Sequence, residues 1–441
     1  MRHAIAALAL ALTLVPRPVS ARDDLGSALD TYVRPLQELD VFGGAVLISR
    51  GDKVLARRSY GLANQELAIP NSADKRFRIA SISKFFTSAA IGCLIEDGAL
   101  TFGTPLGRFL PEFPKADSIT IEMLLRHRAG IPNVNELPIL EDSPISNSLD
   151  DLIAHLARQP LAFAPGTQTR YSNGGYAILA KVIEKASGRS YEEFLTARVL
   201  SPLGLNDTGH EGDPFLLTNR AYGYAPDPRR PGRVVPAPYQ QMATKTGGGS
   251  LYSTVHDLYL IARAWGRDNI LRPATWEAVW PSEEGVVSAQ GRCPGYNSLL
   301  FRNLKNDVIV IILSNNYASG MLAKMGQDLE SMALGRKVPS LPYHRGTVAE
   351  GVDLTRFAGH YRIPDGALSF LEDRELDIRL EADHLVLWSG RTPVDVLVAQ
   401  SDTTFLARNL WSELAFDRDG AHLTYRLLYR PQEFTLPRSG T

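Results

Sequence analysis

The feature that most constrains this fold is a pair of strand patterns that lie far apart in the chain. The stretch GGAVLISRGDKVLARRSYG, residues 43–61, predicts two short strands around a turn at 50–52. The stretch VIVIILSNN, residues 308–316, predicts a strand buried on both faces. Mainly helical patterns with many Pro and Gly breaks lie between them. This arrangement predicts an α/β domain in which one sheet carries a helical insertion.

Two helix patterns frame the same region. Apolar spacing over 25–39 predicts a helix before the first strand, and YASGMLAKMGQDLESMALG predicts another that ends at Gly335. A third helix, after Ser81, is apolar on nearly every side, so we expect it to be buried, with Gly98 at its end.

The pattern changes after about residue 352. Short alternating segments such as ELDIRLEADHLVLWSG follow one another, with turn residues about every ten positions. This spacing predicts a small all-β barrel or sandwich. We therefore divide the chain into a signal peptide (1–21), a first domain (22–338), a linker (339–350) and a β domain (351–441).

The N-terminus has the pattern of an export signal. Arg2 and His3 precede an apolar run over residues 4–15, and Val19-Ser20-Ala21 fits a cleavage site. The run is too short to span a bilayer, so we expect no stable membrane anchor. We predict a secreted or periplasmic protein; the alternative is a buried N-terminal helix.

Composition excludes several classes of function. The chain has 441 residues and a formal net charge of −1, which argues against nucleic acid as a partner. It contains no HExxH or CxxC motif and no close histidine pair, so we expect no metal and no cofactor. Its two cysteines, Cys93 and Cys293, cannot be paired from sequence alone, although Cys93 sits in an apolar helix pattern typical of a buried free thiol.

The stretch FRIASISKFF, residues 77–86, has two interpretations. Ser81 could cap the helix that follows, because a serine hydroxyl satisfies unpaired backbone N–H groups there. It could also be a nucleophile, with Lys84 three residues later on the same helical face as its base. A lysine can accept the serine proton if burial lowers its pKa, and a tyrosine can share that task if the same cation lowers its own pKa.

Other serine chemistry has less support. The chain has no G-x-S-x-G motif, and His127 in LLRHRAG is better explained as a structural histidine at a helix end. The stretch RYSNGGY, residues 170–176, offers Tyr171 and Asn173 just before a helix.

Taken in order, these segments resemble a known group. The sequences around Ser81, ITIEMLLRHRAGIPNV, APGTQTRYSNGGY, GGGSLYSTVHDLYLIARA and PGYNS are similar to the serine β-lactamase and penicillin-binding-protein superfamily. The resembling branch contains class C β-lactamases, D-Ala-D-Ala carboxypeptidases, D-aminopeptidases and esterases. It implies an antiparallel sheet flanked by helices, with a helical insertion. The segment LTRFAGHYRI and the strands after it resemble a lipocalin-like barrel.

The resemblance assigns roles to four residues. Ser81 is implied as the acylated nucleophile and Lys84 as its base. Tyr171 is implied to relay protons to and from the leaving group, and Asn173 to hold the substrate amide. The backbone N–H of Ser81 is implied to form half of the oxyanion hole.

The third motif departs from the family. Members carry K-T-G or H-x-G on a strand before a segment like PGYNS, whereas this chain has Ala289-Gln290-Gly291, followed by Arg292 at the donor position. We assign Gln290, Gly291 and Arg292 to substrate binding. The literal Lys245-Thr246-Gly247 precedes a helix, so we interpret it as a lookalike.

Together these features predict an exported serine hydrolase acting through a Ser81 acyl-enzyme on a small-molecule or peptide substrate. The bond can be an ester, a peptide or a β-lactam, and the missing cation at Ala289 favours an ester unless Arg292 replaces it. The alternative is a catalytically weak protein that binds cell-wall peptides or a partner.

Overall fold

A computed structural model describes most of the chain. The described residues are 21–136, 148–212, 216–230, 233–317, 321–339, 341, 343, 352–365, 367–368, 374–428 and 432–439. The predicted signal peptide lies outside them except for its last residue, and so does most of the predicted linker.

The described residues form nine α-helices and twenty strands. The helices are α1 (Ala21–Glu38), α2 (Ser83–Glu96), α3 (Ile121–Leu125), α4 (Leu149–Ala157), α5 (Asn173–Ser187), α6 (Tyr191–Leu195), α7 (Val255–Ala264), α8 (Pro273–Val279) and α9 (Met321–Ala333). The strands of the first domain are β1 (Gly44–Arg50), β2 (Lys53–Tyr60), β3 (Leu62–Asn64), β4 (Ile69–Pro70), β5 (Phe77–Arg78), β6 (Gly209–His210), β7 (Tyr224–Pro226), β8 (Val234–Pro236), β9 (Leu251–Ser253), β10 (Val286–Cys293), β11 (Tyr296–Asn303) and β12 (Val308–Ser314). The remaining strands are β13 (Gly359–Arg362), β14 (Glu375–Glu381), β15 (His384–Ser389), β16 (Thr392–Ala399), β17 (Thr404–Ala407), β18 (Ser412–Phe416), β19 (His422–Leu427) and β20 (Gln432–Pro437).

The main sheet joins the two distant strand patterns. Its order is β10-β11-β12-β1-β2, and every pair is antiparallel. The register pairs Gly44 with Ser314 and Arg50 with Val308. The strand β1, which comes first in the chain, therefore lies beside β12, which comes last in the chain among the strands of this sheet. All seven residues of β12 are buried, as the uninterrupted apolar pattern predicted.

Helices cover both faces of this sheet, because successive strand side chains point to opposite sides. On β12, Ile309 and Ile311 join the cluster that contains α2, α5 and α7, while Val310 and Ile312 join the cluster of α1 and α9. Twelve of the fourteen residues of α2 are buried, which confirms the expectation of a helix enclosed on all sides. The α/β architecture predicted from the sequence is therefore confirmed.

The C-terminal part forms a barrel that is nearly closed. Strands β13 to β20 pair in sequential antiparallel order, and a bridge between Tyr361 and Arg438 brings the first strand next to the last. A separate apolar core fills it, with Phe357, Phe405 and Phe416 packed ring against ring. The all-β fold is confirmed, whereas the exact domain bounds remain predictions.

The barrel packs against the first domain at two places. Trp411 lies in the same apolar cluster as α1 and α9, and the buried Arg408 donates to the carbonyl of Leu39 at 3.2 Å. The second place is the hairpin of β7 and β8, where Arg229 donates to Glu381 at 2.9 and 3.0 Å. The backbone carbonyl of Arg229 also lies 2.7 Å from a ring nitrogen of His384.

Three further findings concern single features. Within the described ranges, no helix is long and apolar enough to cross a membrane, and no cluster of His, Cys, Asp or Glu could hold a metal ion. Cys93 and Cys293 are both buried free thiols, as expected for Cys93. Burial raises their pKa values to about 11 and about 12.

Candidate active site

Ser81 lies in a short turn that leads into a buried helix. The turn spans Ala80–Ile82 in 3₁₀ geometry, and α2 begins directly after it. No side chain caps α2, so the capping interpretation of Ser81 is wrong. Ala80 has a φ of +46°, a strained value for a residue with a side chain, and such strain occurs at functional sites when the surrounding structure imposes it.

The structure brings Ser81, Lys84 and Tyr171 together. Ser81 Oγ lies 2.6 Å from Tyr171 Oη and 3.1 Å from Lys84 Nζ. Ser81 and Lys84 are one helical turn apart, while Tyr171 comes from the segment just before α5. Both partner atoms are within direct hydrogen-bonding distance of Ser81 Oγ, which is the convergence that the sequence predicted.

Lys84 is in an environment that favours its neutral amine. Its side chain is 2% exposed, and burial lowers its pKa well below the ordinary value. Besides Ser81, its Nζ contacts two oxygens, Asn173 Oδ1 at 2.6 Å and the Gly248 carbonyl at 2.6 Å. A neutral amine has two N–H groups for these acceptors and one lone pair that can face the Ser81 hydroxyl. This arrangement suits Lys84 as a proton acceptor.

Tyr171 differs from the expectation in one respect. Its pKa is raised, because burial outweighs the lowering effect of the hydrogen bond to Ser81. The condition that a nearby cation lowers the pKa of this tyrosine is therefore not met, and its hydroxyl keeps its proton at neutral pH. A protonated Tyr171 is a proton donor, and its single O–H can be directed either at Asn173 Oδ1, 3.3 Å away, or at Ser81 Oγ, 2.6 Å away.

His127 packs against Tyr171 and positions the segment that carries it. The two ring centroids are 4.7 Å apart, and His127 Nδ1 accepts the Ser172 backbone N–H at 3.2 Å. Burial lowers the pKa of His127 to about 4. The histidine is therefore neutral at pH 7 and holds the backbone next to Tyr171, in agreement with a structural role.

Asn173 is engaged at both ends of its amide. Its Oδ1 accepts from Lys84 and Tyr171, and its Nδ2 donates to Asn133 Oδ1 at 3.0 Å. In this structure Asn173 therefore orients the lysine, and contact with a substrate amide remains a prediction. Sequence reasoning missed Asn133, although its segment HRAGIPNV was part of the resemblance.

The strand with the altered third motif flanks the turn that carries Ser81. β10 is an edge strand of the main sheet, and Gly291 lies so close to the turn that an added Cβ would be 1.9 Å from the Ile79 carbonyl. Ala289 points to the same side and is buried. Gln290 is exposed and is not among the described residues that line the cleft, so its predicted binding role has no support from the cavity.

Two cations line the cleft around Ser81, which has a volume of about 220 Å³. Arg292 is one, and its guanidinium lies over the Tyr317 ring at 4.2 Å. Lys245 is the other; it lies in a 3₁₀ turn (Met242–Lys245) and its Nζ donates to Asn135 Oδ1 at 2.9 Å. Lys245 is thus not on the strand of the third motif, as predicted, but it reaches the same cleft, which sequence reasoning missed.

Comparisons with known proteins agree with this geometry. A model of the beta-lactamase family matches residues 29–330. A penicillin-binding protein of Bacillus subtilis (strain 168) is 27% identical over 430 residues, covering 88% of this chain and 93% of that protein. The esterase EstB of Burkholderia gladioli is 29% identical over 306 residues, covering 62% of this chain and 78% of that protein.

A solved structure has the same fold. The D-amino acid amidase of Ochrobactrum anthropi SV3, crystallised with L-phenylalanine amide, superposes with a TM-score of 0.63 at 22% identity, covering 72% of this chain and all of that one. The family model covers well over half of the chain and includes the turn with Ser81, the segment with Tyr171 and the strand with Gly291. The chain therefore belongs to the beta-lactamase family of serine hydrolases.

Proposed function

We propose that this protein hydrolyses an ester or amide bond through an acyl-enzyme on Ser81. The observation that carries the proposal is the contact of Ser81 Oγ with Tyr171 Oη at 2.6 Å and with Lys84 Nζ at 3.1 Å. A nucleophile within hydrogen-bonding distance of its base, with a third group orienting that base, is the arrangement that covalent catalysis needs. Asn173 is the orienting group, through its 2.6 Å contact with Lys84.

The reaction follows from these contacts. Neutral Lys84 takes the Ser81 proton as Oγ bonds to the substrate carbonyl carbon, and the electron pair of the carbonyl moves to its oxygen. The backbone N–H groups of Ser81 and Arg292 hold that oxyanion, since β10 is an edge strand with one unpaired side. Tyr171 then protonates the leaving group as its bond to carbon breaks, and Lys84 returns the proton to Tyr171. Water hydrolyses the acyl-enzyme through the same groups in reverse.

The charges of the cleft bear on the substrate. Ala289 is buried where family members carry a cation, but Lys245 and Arg292 both line the cleft. These two side chains give it positive charge that can pair with a substrate carboxylate. We therefore extend the proposal to substrates with a carboxylate, β-lactams included. The similarity to an esterase and to an amidase fold supports both ester and amide chemistry.

We also propose that the protein is exported. The basic start, the short apolar run over residues 4–15 and the small residues at 19–21 support cleavage after residue 21. Expression in a bacterium, followed by N-terminal sequencing of the periplasmic fraction, tests this. An intact Met1 on soluble cytoplasmic protein would contradict it.

The acyl-enzyme is tested by intact-protein mass after mixing with a penicillin and, separately, with a p-nitrophenyl ester. We expect an adduct or nitrophenol release that disappears in Ser81→Ala. The variant keeps the fold, because the Ser81 side chain does not cap α2. If the correctly folded protein shows no adduct and no turnover, the proposal is refuted. That result would favour a catalytically weak protein that binds cell-wall peptides or a partner.

A further inference from the structure

A cavity of about 700 Å³ lies on the opposite face of the main sheet from Ser81. Its walls are α1, the hairpin of β1 and β2, and the C-terminal end of α9 with the chain that follows it. No described residue lines both this cavity and the cleft around Ser81. Its volume is in the range of small-molecule sites, about 300–1,000 Å³. We call it the α1–α9 cavity.

Apolar side chains form the floor of the α1–α9 cavity. Five half-buried hydrophobic residues line it: Leu25, Leu55, Met332, Leu334 and Val338. All five pack against the buried cluster of α1 and α9, so they continue that core outward to the surface. A half-covered apolar side chain gains free energy when a ligand removes the rest of its surface from water. The floor therefore suits a hydrocarbon chain.

Positive charge accompanies this apolar floor. Four exposed cations line the cavity: Arg50, Lys53, Arg336 and Lys337. Among the residues that the structure describes, none of the four has an ion pair or a side-chain hydrogen bond, and no lining residue is acidic. The whole chain has a formal net charge of −1, so four unneutralised cations in one place are a local excess of positive charge.

The hairpin places two of these cations opposite each other. Arg50 and Lys53 are direct partners in the antiparallel register of β1 and β2, so their side chains share one face of the sheet. Like charges in such positions destabilise a strand pair. Asp52, in the turn between them, pairs instead with Arg263 and Arg267. An anion bound between Arg50 and Lys53 would relieve their repulsion.

The other two cations come from the chain after α9. Arg336 and Lys337 follow the C-terminal end of this helix, where positive charge is favourable. Gly335, with a φ of +74°, ends the helix and turns the chain so that residues 336–339 line the cavity. The helix end explains a cation at this point of the chain, but it does not explain the pair on the hairpin, which lines the same cavity.

We propose that the α1–α9 cavity binds a free single-chain anionic amphiphile of the fatty-acid type, with its carboxylate at the four cations and its tail on the apolar floor. Arginine pairs with a carboxylate through two parallel hydrogen bonds, and lysine adds charge. The concave shape favours one dissolved chain over a flat membrane surface. The inference is independent of the proposed function, because this cavity and the cleft around Ser81 share no described lining residue.

The test is isothermal titration calorimetry with three ligands that share a decyl chain, each below its micellar concentration: decanoate, decyl maltoside and decyltrimethylammonium. We expect decanoate to bind at least about tenfold more tightly than the neutral maltoside, and the ammonium compound to show no measurable binding. Affinity should also rise from hexanoate to octanoate to decanoate, by about two- to fourfold per added methylene. Equal affinities for the three head groups, or no increase with chain length, would overturn the proposal.

Variants locate the binding site. The double variant Arg50→Gln with Lys53→Gln should bind decanoate at least about tenfold more weakly, while its thermal midpoint without ligand should not fall, because the like-charge contact is gone. Arg57→Gln is the matched control, since Arg57 is an exposed cation of β2 that does not line the cavity. Lys245→Gln removes a cation of the cleft around Ser81 and should also keep wild-type affinity for decanoate. Wild-type affinity in the double variant, or loss of binding in Lys245→Gln, would overturn the proposal.

Vesicles test a membrane as the alternative occupant. We expect the protein to co-sediment no more with phosphatidylglycerol vesicles than with phosphatidylcholine vesicles. Co-sedimentation with phosphatidylglycerol that disappears in the double variant, without any binding of decanoate, would assign the four cations to an anionic membrane surface and overturn the proposal.

Discussion

Replacing Gly291 by alanine should separate the strand β10 from the nucleophile. An alanine Cβ would lie 1.9 Å from the Ile79 carbonyl oxygen and 2.5 Å from Ser298 Oγ. Cβ atoms essentially never come within 3.0 Å of another heavy atom, so the strand and the turn must move apart by about 1.1 Å. Hydrogen bonds oppose this movement of the turn and the strand. The Ile79 N–H donates to the Leu251 carbonyl at 3.0 Å, and Ser298 Oγ donates to the Ile79 carbonyl at 2.9 Å.

This displacement exceeds what catalysis tolerates. Catalytic groups must be held within about 0.5 Å of their productive positions, and a lost oxyanion donor lowers kcat by about 10²–10³. We expect Gly291→Ala to lower kcat for p-nitrophenyl acetate by about 100-fold or more, with a thermal midpoint that still shows a folded protein.

Gly103→Ala is the control for this experiment. No heavy atom lies within 4 Å of a Cβ added at position 103, and the backbone there has no positive φ. Its kcat should equal that of the wild type. If Gly291→Ala also keeps wild-type kcat, β10 does not provide the oxyanion contact and the assignment of Arg292 N–H is wrong.

Three other perturbations test separate parts of the structure. Lys84→Met should lower kcat by about 10²–10⁴ in steady-state ester hydrolysis, and wild-type activity should fall as the pH drops through the depressed pKa of Lys84; retained activity in the variant would exclude Lys84 as the base. His127→Phe removes the acceptor of the Ser172 N–H and places a bulky side chain at a φ of +57°, so kcat should fall about tenfold. His127→Asn keeps an acceptor and tolerates that φ, so it should retain more activity; equal kcat in both variants would refute a positioning role. Burial raises the pKa of Asp395 from 3.8 to about 7, so the folded state keeps a proton that the unfolded state loses, and stability should fall by roughly 3 kcal/mol between pH 4 and 7. Asp395→Asn should remove that slope in thermal melts, and a stability difference from the wild type that is the same at pH 5 and pH 8 would contradict this.

The sequence predicted the parts of the site that depend on local spacing. Ser81 and Lys84 are three residues apart at the start of a helix, so their shared face follows from helical geometry. The buried pattern of 308–313 likewise required a central strand, and β12 occupies that place. Tyr171 was found through the resemblance, since its distance along the chain from Ser81 carries no geometric information.

The remaining features depend on contacts between distant segments. Lys245 reaches the cleft because the turn that carries it packs next to Ser81, and no pattern within the turn indicates this. The raised pKa of Tyr171 depends on how much water the folded chain excludes from its hydroxyl. Gln290 was assigned to the site by its position in a motif, but the alternation of side chains along β10 turns it outward.

The hairpin of β7 and β8 connects the barrel to a cavity wall of the first domain. Tyr224 and Pro236, on its two strands, line a cavity of about 620 Å³, while Arg229 beyond the first strand donates a hydrogen bond to Glu381 of the barrel. A substitution at Glu381 of the barrel would therefore reach a cavity wall of the first domain, across the boundary between the two parts of the chain.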